Sequence, residues 1–161
     1  MSKYHASTTD YSGRTVDLLV LQLVSTPVSE KVVRPDVSKF PHMTTGIEKL
    51  VQRYTQLFLT QRGSVRNRPG EGSDFMTLLG AGNIYDINTL TVAASAANKT
   101  VMDQIRTEDA VLDTPDDEAL ESSSIKDLAI DRAKATVYVT VRLDTVAGES
   151  YVYTTPVKAG V

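Results

Sequence analysis

The run Ala135-Thr136-Val137-Tyr138-Val139-Thr140-Val141-Arg142-Leu143 decides the fold. Ala135, Val137, Val139, Val141 and Leu143 alternate with Thr136, Tyr138, Thr140 and Arg142. A period of two is the mark of a strand with one face buried. Downstream, Asp144 to Gly148 reads as a hairpin turn and residues 149–155 return as a further strand. Upstream, residues 125–130 read as the first strand of the same meander. The expectation is a small antiparallel sheet over about 124–155.

The middle of the chain has a different period. Ile47, Leu50, Val51, Tyr54, Leu57 and Phe58 fall on one helical face, with Glu48, Lys49, Gln52, Arg53 and Gln56 opposite. Thr45 and Glu48 have the spacing of a capping box, so a helix is predicted over about 45–60. Residues 61–72 hold three glycines and Pro69 without apolar pattern, which makes them a loop. Ser73 can cap a short helix over 73–80 carrying Phe75, Met76, Leu78 and Leu79, stopped by Gly80 and Gly82. Ile87, Leu90, Ala94, Ala97, Val101 and Ile105 then recur at intervals of three and four, predicting a long helix over 87–109. Residues 110–124 around Pro115 read as an acidic linker. Helices and strands are segregated, so the predicted class is α+β, with helices on one face of the C-terminal sheet.

The first 44 residues read differently from the rest. Residues 1–15 are polar and aperiodic, which predicts an arm that orders only with a partner. Residues 16–24 are mostly apolar and rich in β-formers, favouring a strand with a helix left open. Residues 25–43 carry Pro27, Pro35 and Pro41 and read as an extended connector. The expected organisation is therefore an N-terminal arm and connector over 1–44 and one α+β domain over 45–157.

Composition bounds the function. The chain has 161 residues, 41% hydrophobic and 23% charged, with a net charge of −3. That suits one globular domain and lacks the basic excess of a nucleic-acid binder. There is no cysteine, which excludes thiolate zinc sites, disulfides and Cys nucleophiles. No apolar run approaches a bilayer-spanning length and the N-terminus has no apolar signal core, so a soluble protein folding in a cytosol is expected.

The search for chemistry returns little. The two histidines, His5 and His42, sit in the arm and beside Pro41, where no rigid element can aim them. Glu48 is accounted for by capping and Glu71 lies in the Gly-rich loop, so no pair of carboxylates is placed for glycoside hydrolysis. The loop 63–72 lacks the phosphate-cradling G-x-x-x-x-G-K-[ST] pattern. The acidic stretch 103–121 lacks the glycine and closing glutamate of a calcium loop. What the loop does carry is Arg62, Arg66 and Arg68, with Arg53 on the preceding helix. Against the acidic stretch, this is a polarised charge distribution of the kind that docks partners. No metal or cofactor is implied, and the chain reads as a binding or structural module.

The run Leu59-Thr60-Gln61-Arg62-Gly63-Ser64, followed by Pro69, Gly72, Asp74 and Leu78-Leu79, resembles the baseplate wedge or sheath-initiator family of contractile phage tails. Members also occur in type VI secretion baseplates and contractile bacteriocins. The resemblance covers about 45–157 in the same element order. It implies a non-enzymatic structural protein of the virion, present in several copies around the tail axis and assembled in the host cytoplasm. The implied partners are baseplate wedge proteins and the tail sheath protein, with the tail tube a further candidate and neither nucleic acid nor membrane. By this resemblance Arg62, Gly63, Arg66, Arg68, Pro69, Gly72 and Glu108 would bind the wedge. Val137, Val139, Thr140, Val141, Tyr151, Val152 and Tyr153 would receive strands from the first sheath ring. The chain departs from the family after the long helix, where Glu108-Asp109-Ala110 stands in place of Glu-Pro-Arg. A lysozyme-like label attached to some members finds no support in these carboxylates. The competing readings are another tail component, such as a terminator or completion protein, and less readily a small hydrolase. The run 59–79 speaks against both.

Overall fold

The computed structural model describes residues 15–25, 31–35, 43–82 and 86–158. The expected arm 1–15, except Thr15, lies outside the described residues. In chain order the elements are β1 (Asp17–Leu18), β2 (Leu21–Ser25), β3 (Lys31–Pro35), β4 (Met43–Thr44), α1 (Gly46–Leu59), α2 (Phe75–Gly80), α3 (Ile87–Leu112), β5 (Leu120–Asp131), β6 (Thr136–Thr145) and β7 (Ser150–Lys158). The class is α+β. Strands β5, β6 and β7 form the expected antiparallel meander.

The sheet is larger than the sequence suggested, and it is mixed. Its order is β2-β3-β7-β6-β5, with β3 parallel to β7 and every other neighbour antiparallel. The region 25–43, expected as a connector, contributes β3. The stretch 16–24 divides into β1, which pairs with β4 as a separate ribbon, and β2. The acidic linker 110–124 is also corrected: α3 runs on to Leu112, turns at Asp113 with φ 50°, and β5 begins at Leu120.

Helix α1 buries Leu50, Val51, Tyr54, Leu57 and Phe58, as its period requires. Phe58 packs between Tyr54 and Phe75, with ring centroids 5.9 and 4.7 Å away, which ties α2 to α1. Helix α3 starts where the Asp86 carboxylate accepts from the Thr89 amide at 2.7 Å, a cap that offsets exposed N–H groups. Its buried Ala93, Ala94 and Ala97 have no bulk beyond Cβ, so the sheet can approach closely. From the other side Val137, Val139, Val141, Leu143, Tyr153 and Val157 point into the same core. Each fully buried side chain of this kind contributes about 1.5–3 kcal/mol, so the helix–sheet sandwich rests on this layer.

One flank of α1 departs from the helical wheel. Gln52, expected on the polar face, is 2% exposed. Its amide accepts from the Val20 and Leu21 amides at 2.7 and 3.2 Å and donates to the Leu18 carbonyl at 2.8 Å. The segment joining β1 to β2 is thereby anchored to the helix.

Candidate functional site

Two features of the surface can be built up from their residues: a groove between the 61–72 loop and α3, and the edges of the sheet. The loop is fixed from both ends. The Arg62 amide donates to the Ser73 carbonyl at 3.1 Å and the Ser73 amide to the Thr60 carbonyl at 2.9 Å. Gln104 on α3 accepts from the Gly72 amide at 3.0 Å and donates to the Gly72 and Gly70 carbonyls at 2.8 and 3.2 Å. Gly72 has φ +97°, and a Cβ there would lie 2.3 Å from the Thr60 carbonyl oxygen. Only glycine fits that crossing.

The groove so formed has a volume of about 680 Å³ and is lined by Arg62, Arg68, Glu71, Asp103, Gln104 and Glu108. Beside it, the half-buried Arg53 guanidinium donates to Asp109 Oδ1 at 2.6 Å, to Glu108 Oε2 at 2.8 Å and to the Ile105 carbonyl at 3.3 Å. Burial alone would lower the Arg53 pKa; the bonds to Asp109 and Glu108 outweigh it and hold it above the ordinary value. Arg68 lies 3.5 Å from Glu71 and 4.0 Å from Glu108. The basic loop and the acidic stretch are therefore face to face, which corrects the expectation of two separated poles. Of the residues expected at the wedge, Arg62, Arg68 and Glu108 meet at the groove and Gly72 shapes it. Gly63, Arg66 and Pro69 are exposed on the loop and do not line it. The groove joins cations and anions at a shared wall, which suits a polar segment of a partner.

The sheet edges follow from one hydrogen bond and the period of two. The Thr145 amide donates to the Glu149 carbonyl at 2.8 Å, so Thr145 faces β7. Counting back by twos, Leu143, Val141, Val139 and Val137 bond toward β7, and the intervening residues bond toward β5. Strand β6 is thus paired on both sides. No strand can add at Val137, Val139, Thr140 or Val141, and that expectation is corrected. On β7, Tyr151 and Tyr153 spend their backbone groups on β6. Those of Ser150, Val152 and Thr154 point away from it, where β3 meets β7 with Val32 opposite Thr154. Pro156 has the same parity, so its missing N–H lies on this outer edge and breaks no ladder bond. The Tyr153 side chain is in the core, where Thr55 donates to its hydroxyl at 3.1 Å, and burial raises its pKa. Across the outer face Asp144 accepts from Ser150, Ser122 and Arg142, tying three strands, and its carboxyl is pulled down to about 2.

A third cluster was invisible in the sequence. Glu118, read as part of a linker, is 2% exposed. Its carboxylate accepts from the Thr45 hydroxyl at 3.0 Å, the Gly46 amide at 3.3 Å and the Lys49 ammonium at 2.9 Å, and from the Thr15 hydroxyl. Thr45 makes no side-chain cap within α1, so Glu118 replaces the expected capping box. Burial pushes the Glu118 pKa up, and the bonds from Thr15, Lys49, Thr45 and Gly46 more than reverse this, leaving it lowered. No local signal could have found it, because its partners lie some seventy residues or more away. Gln104 and Gln52 were missed for the same reason.

Among the described residues no cluster of acidic and histidine side chains could hold a metal ion, and no helix is long and apolar enough to cross a membrane. Comparison with protein-family models, with curated proteins and with solved structures finds no match to this chain.

Proposed function

We propose that the protein is a non-enzymatic joint of a contractile tail baseplate, a sheath initiator that docks on wedge proteins and accepts strands from the first sheath ring. The reading rests on the resemblance over 59–79 and on the element order that follows it. The single observation that supports it best is the side of β7 turned away from β6. There the backbone groups of Ser150, Val152 and Thr154 face away from the meander and are met by β3 at one register pair. Such an edge can take an incoming strand by main-chain hydrogen bonding. The groove supports wedge docking, because Arg62 makes no ion pair among the described residues and Glu71 Oε2, though ion-paired with Arg68 at 3.5 Å, is buried without a hydrogen bond.

The test is co-expression with sheath and wedge subunits of the same system, purification and electron microscopy. Val152→Pro removes an outward N–H and leaves the β6 ladder intact, so it should abolish sheath capture and keep wedge capture. Arg62→Glu with Arg68→Glu should do the reverse. Contraction-competent tails built with Val152→Pro would refute strand addition at this edge. A protein that bound neither partner and instead capped purified tubes would be a terminator.

A further inference from the structure

The outer strands of the sheet are β5 and β2, and neither edge is open along its whole length. On β5 the Glu121 carbonyl accepts from Arg106 and the Ser123 carbonyl from Asn98 at 3.3 Å, both from α3. Beyond them the register shifts between Ile125 and Asp127, and Lys126 and Asp127 are exposed. A bulge and charges at mid-strand are devices that keep other strands off an edge. On β2 the first amide, Leu21, is taken by Gln52.

The far side of β7 is different, because what covers it belongs to the N-terminal segment and is joined to it by one register pair. Strands β6 and β7 pair without interruption from Asp144 opposite Ser150 to Thr136 opposite Lys158. Strands β3 and β7 share Val32 opposite Thr154 alone. Among the described side chains of β3, Val33 is buried in the core and the Lys31 ammonium lies 4.2 Å above the Tyr151 ring. Meanwhile the β1–β4 ribbon forms a stalk beside the β2–β3 pair. Asp17 lies opposite Thr44 and Leu18 opposite Met43, and Gln52 holds the Leu18 carbonyl and the Val20 and Leu21 amides. The β2–β3 pair can leave β7 while the stalk stays on α1.

We infer that β2–β3 is a flap that occupies the β7 edge in the isolated chain and is displaced by the extended segment of a partner adding there as a strand. This deepens the strand-addition reading above and rests on it for the partner's identity. The flap would keep an otherwise sticky edge covered until the partner arrives.

The chain has no cysteine, so Val32→Cys with Thr154→Cys places one disulfide across the register pair in an otherwise thiol-free protein. Hydrogen exchange on the reduced variant should show residues 21–25 and 31–35 opening at least about 100-fold faster than residues 136–145, since the two report local and global opening. Oxidation should slow the first and leave the second. The oxidised form should lose sheath capture at least tenfold, regain it with reductant, and keep wedge capture throughout. The inference is overturned if residues 21–25 and 31–35 exchange as slowly as 136–145. It is equally overturned if the oxidised form captures sheath as well as the reduced one, as it would if the strand added outside β2. Flap opening without sheath capture by any form would support the hinged flap and sink the initiator reading.

Discussion

Glu118→Ala is the sharpest test of how the molecule is joined. The carboxylate is 3% exposed and receives the Lys49 ammonium, itself 20% exposed, at 2.9 Å. It also receives the Thr45 hydroxyl and the Gly46 amide at the start of α1. Truncation leaves the Gly46 N–H without its acceptor and the mostly covered ammonium with the Thr15 hydroxyl in place of a carboxylate. Losing a hydrogen bond to a charged group costs about 1.5–3 kcal/mol and an unsatisfied buried donor about 1–3 kcal/mol, so about 3 kcal/mol in total is expected after partial access of water to Lys49. With a urea slope of about 2 kcal/mol/M, the midpoint should fall by about 1.5 M at unchanged slope. Far-UV circular dichroism is the assay, since the chain has no tryptophan. The control is Glu48→Ala, the residue that sequence reasoning assigned to the cap, for which a change of less than about 0.5 kcal/mol is expected at a surface position. If Glu48→Ala costs more than Glu118→Ala, the reasoning from long-range capping is wrong and the local capping box operates.

Other perturbations follow from the same geometry. Gly72→Ala combines φ +97° with a Cβ 2.3 Å from the Thr60 carbonyl oxygen, whereas Gly63→Ala has φ +83° in open space. The first should lower the melting temperature by roughly 4–8 °C, for about 2 kcal/mol, and the second by about half as much; the reverse order would show that the loop crossing is loose. Arg53→Met strands Glu108 and Asp109 and should cost about 2–3 kcal/mol in urea titrations, with Arg53→Lys recovering only part, because an ammonium cannot fork to both acids. The Asp144 carboxyl is lowered from 3.8 to about 2 in the folded protein, so its contribution is complete above pH 3.8 and is lost as pH falls toward 2. Glu118, lowered from 4.5, acts in the same direction starting from its own ordinary value. Asp144→Asn should therefore flatten the fall in stability between pH 3.8 and 2; an unchanged pH profile in that window would remove Asp144 from the account.

What the sequence made legible was whatever depends on neighbours within a turn or a pleat. The apolar spacing of α1 and α3 and the alternation of β6 predict most of the burial, with Ile87 exposed and Thr136 buried against the pattern, because helix and strand geometry place those side chains without reference to the rest of the chain. Ser122-Ser123-Ser124 has no alternation and poor strand propensity, yet it is strand because β6 supplies Asp144, Leu143 and Arg142 opposite it. Lys31-Val32-Val33-Arg34-Pro35 is short and ends in proline, and its parallel partner is more than a hundred residues away. The polar residues were misread in one consistent manner. Gln52, Arg53, Gln104 and Glu118 look solvated by local pattern and are each held by a distant segment. Periodicity reports where apolar surface goes, whereas the destination of a buried polar group is decided by which chain crosses it.

That difference changes what the groove should do. Two separated poles would attract a charged partner over long distance, with binding that falls steeply as salt is added. In the structure Arg53 is spent on Glu108 and Asp109, and Arg68 lies between Glu71 and Glu108. The field of the groove is therefore locally compensated, and recognition must come from the arrangement of short-range donors and acceptors. Wedge capture should fall by less than about tenfold between roughly 50 and 500 mM salt, since contacts shorter than the Debye length are screened least. The same capture should be lost with Arg62→Glu, which reverses a cation that has no ion-pair partner among the described residues. A steep salt dependence that survives Arg62→Glu would place docking on the acidic surface of α3 and its following turn instead of in the groove.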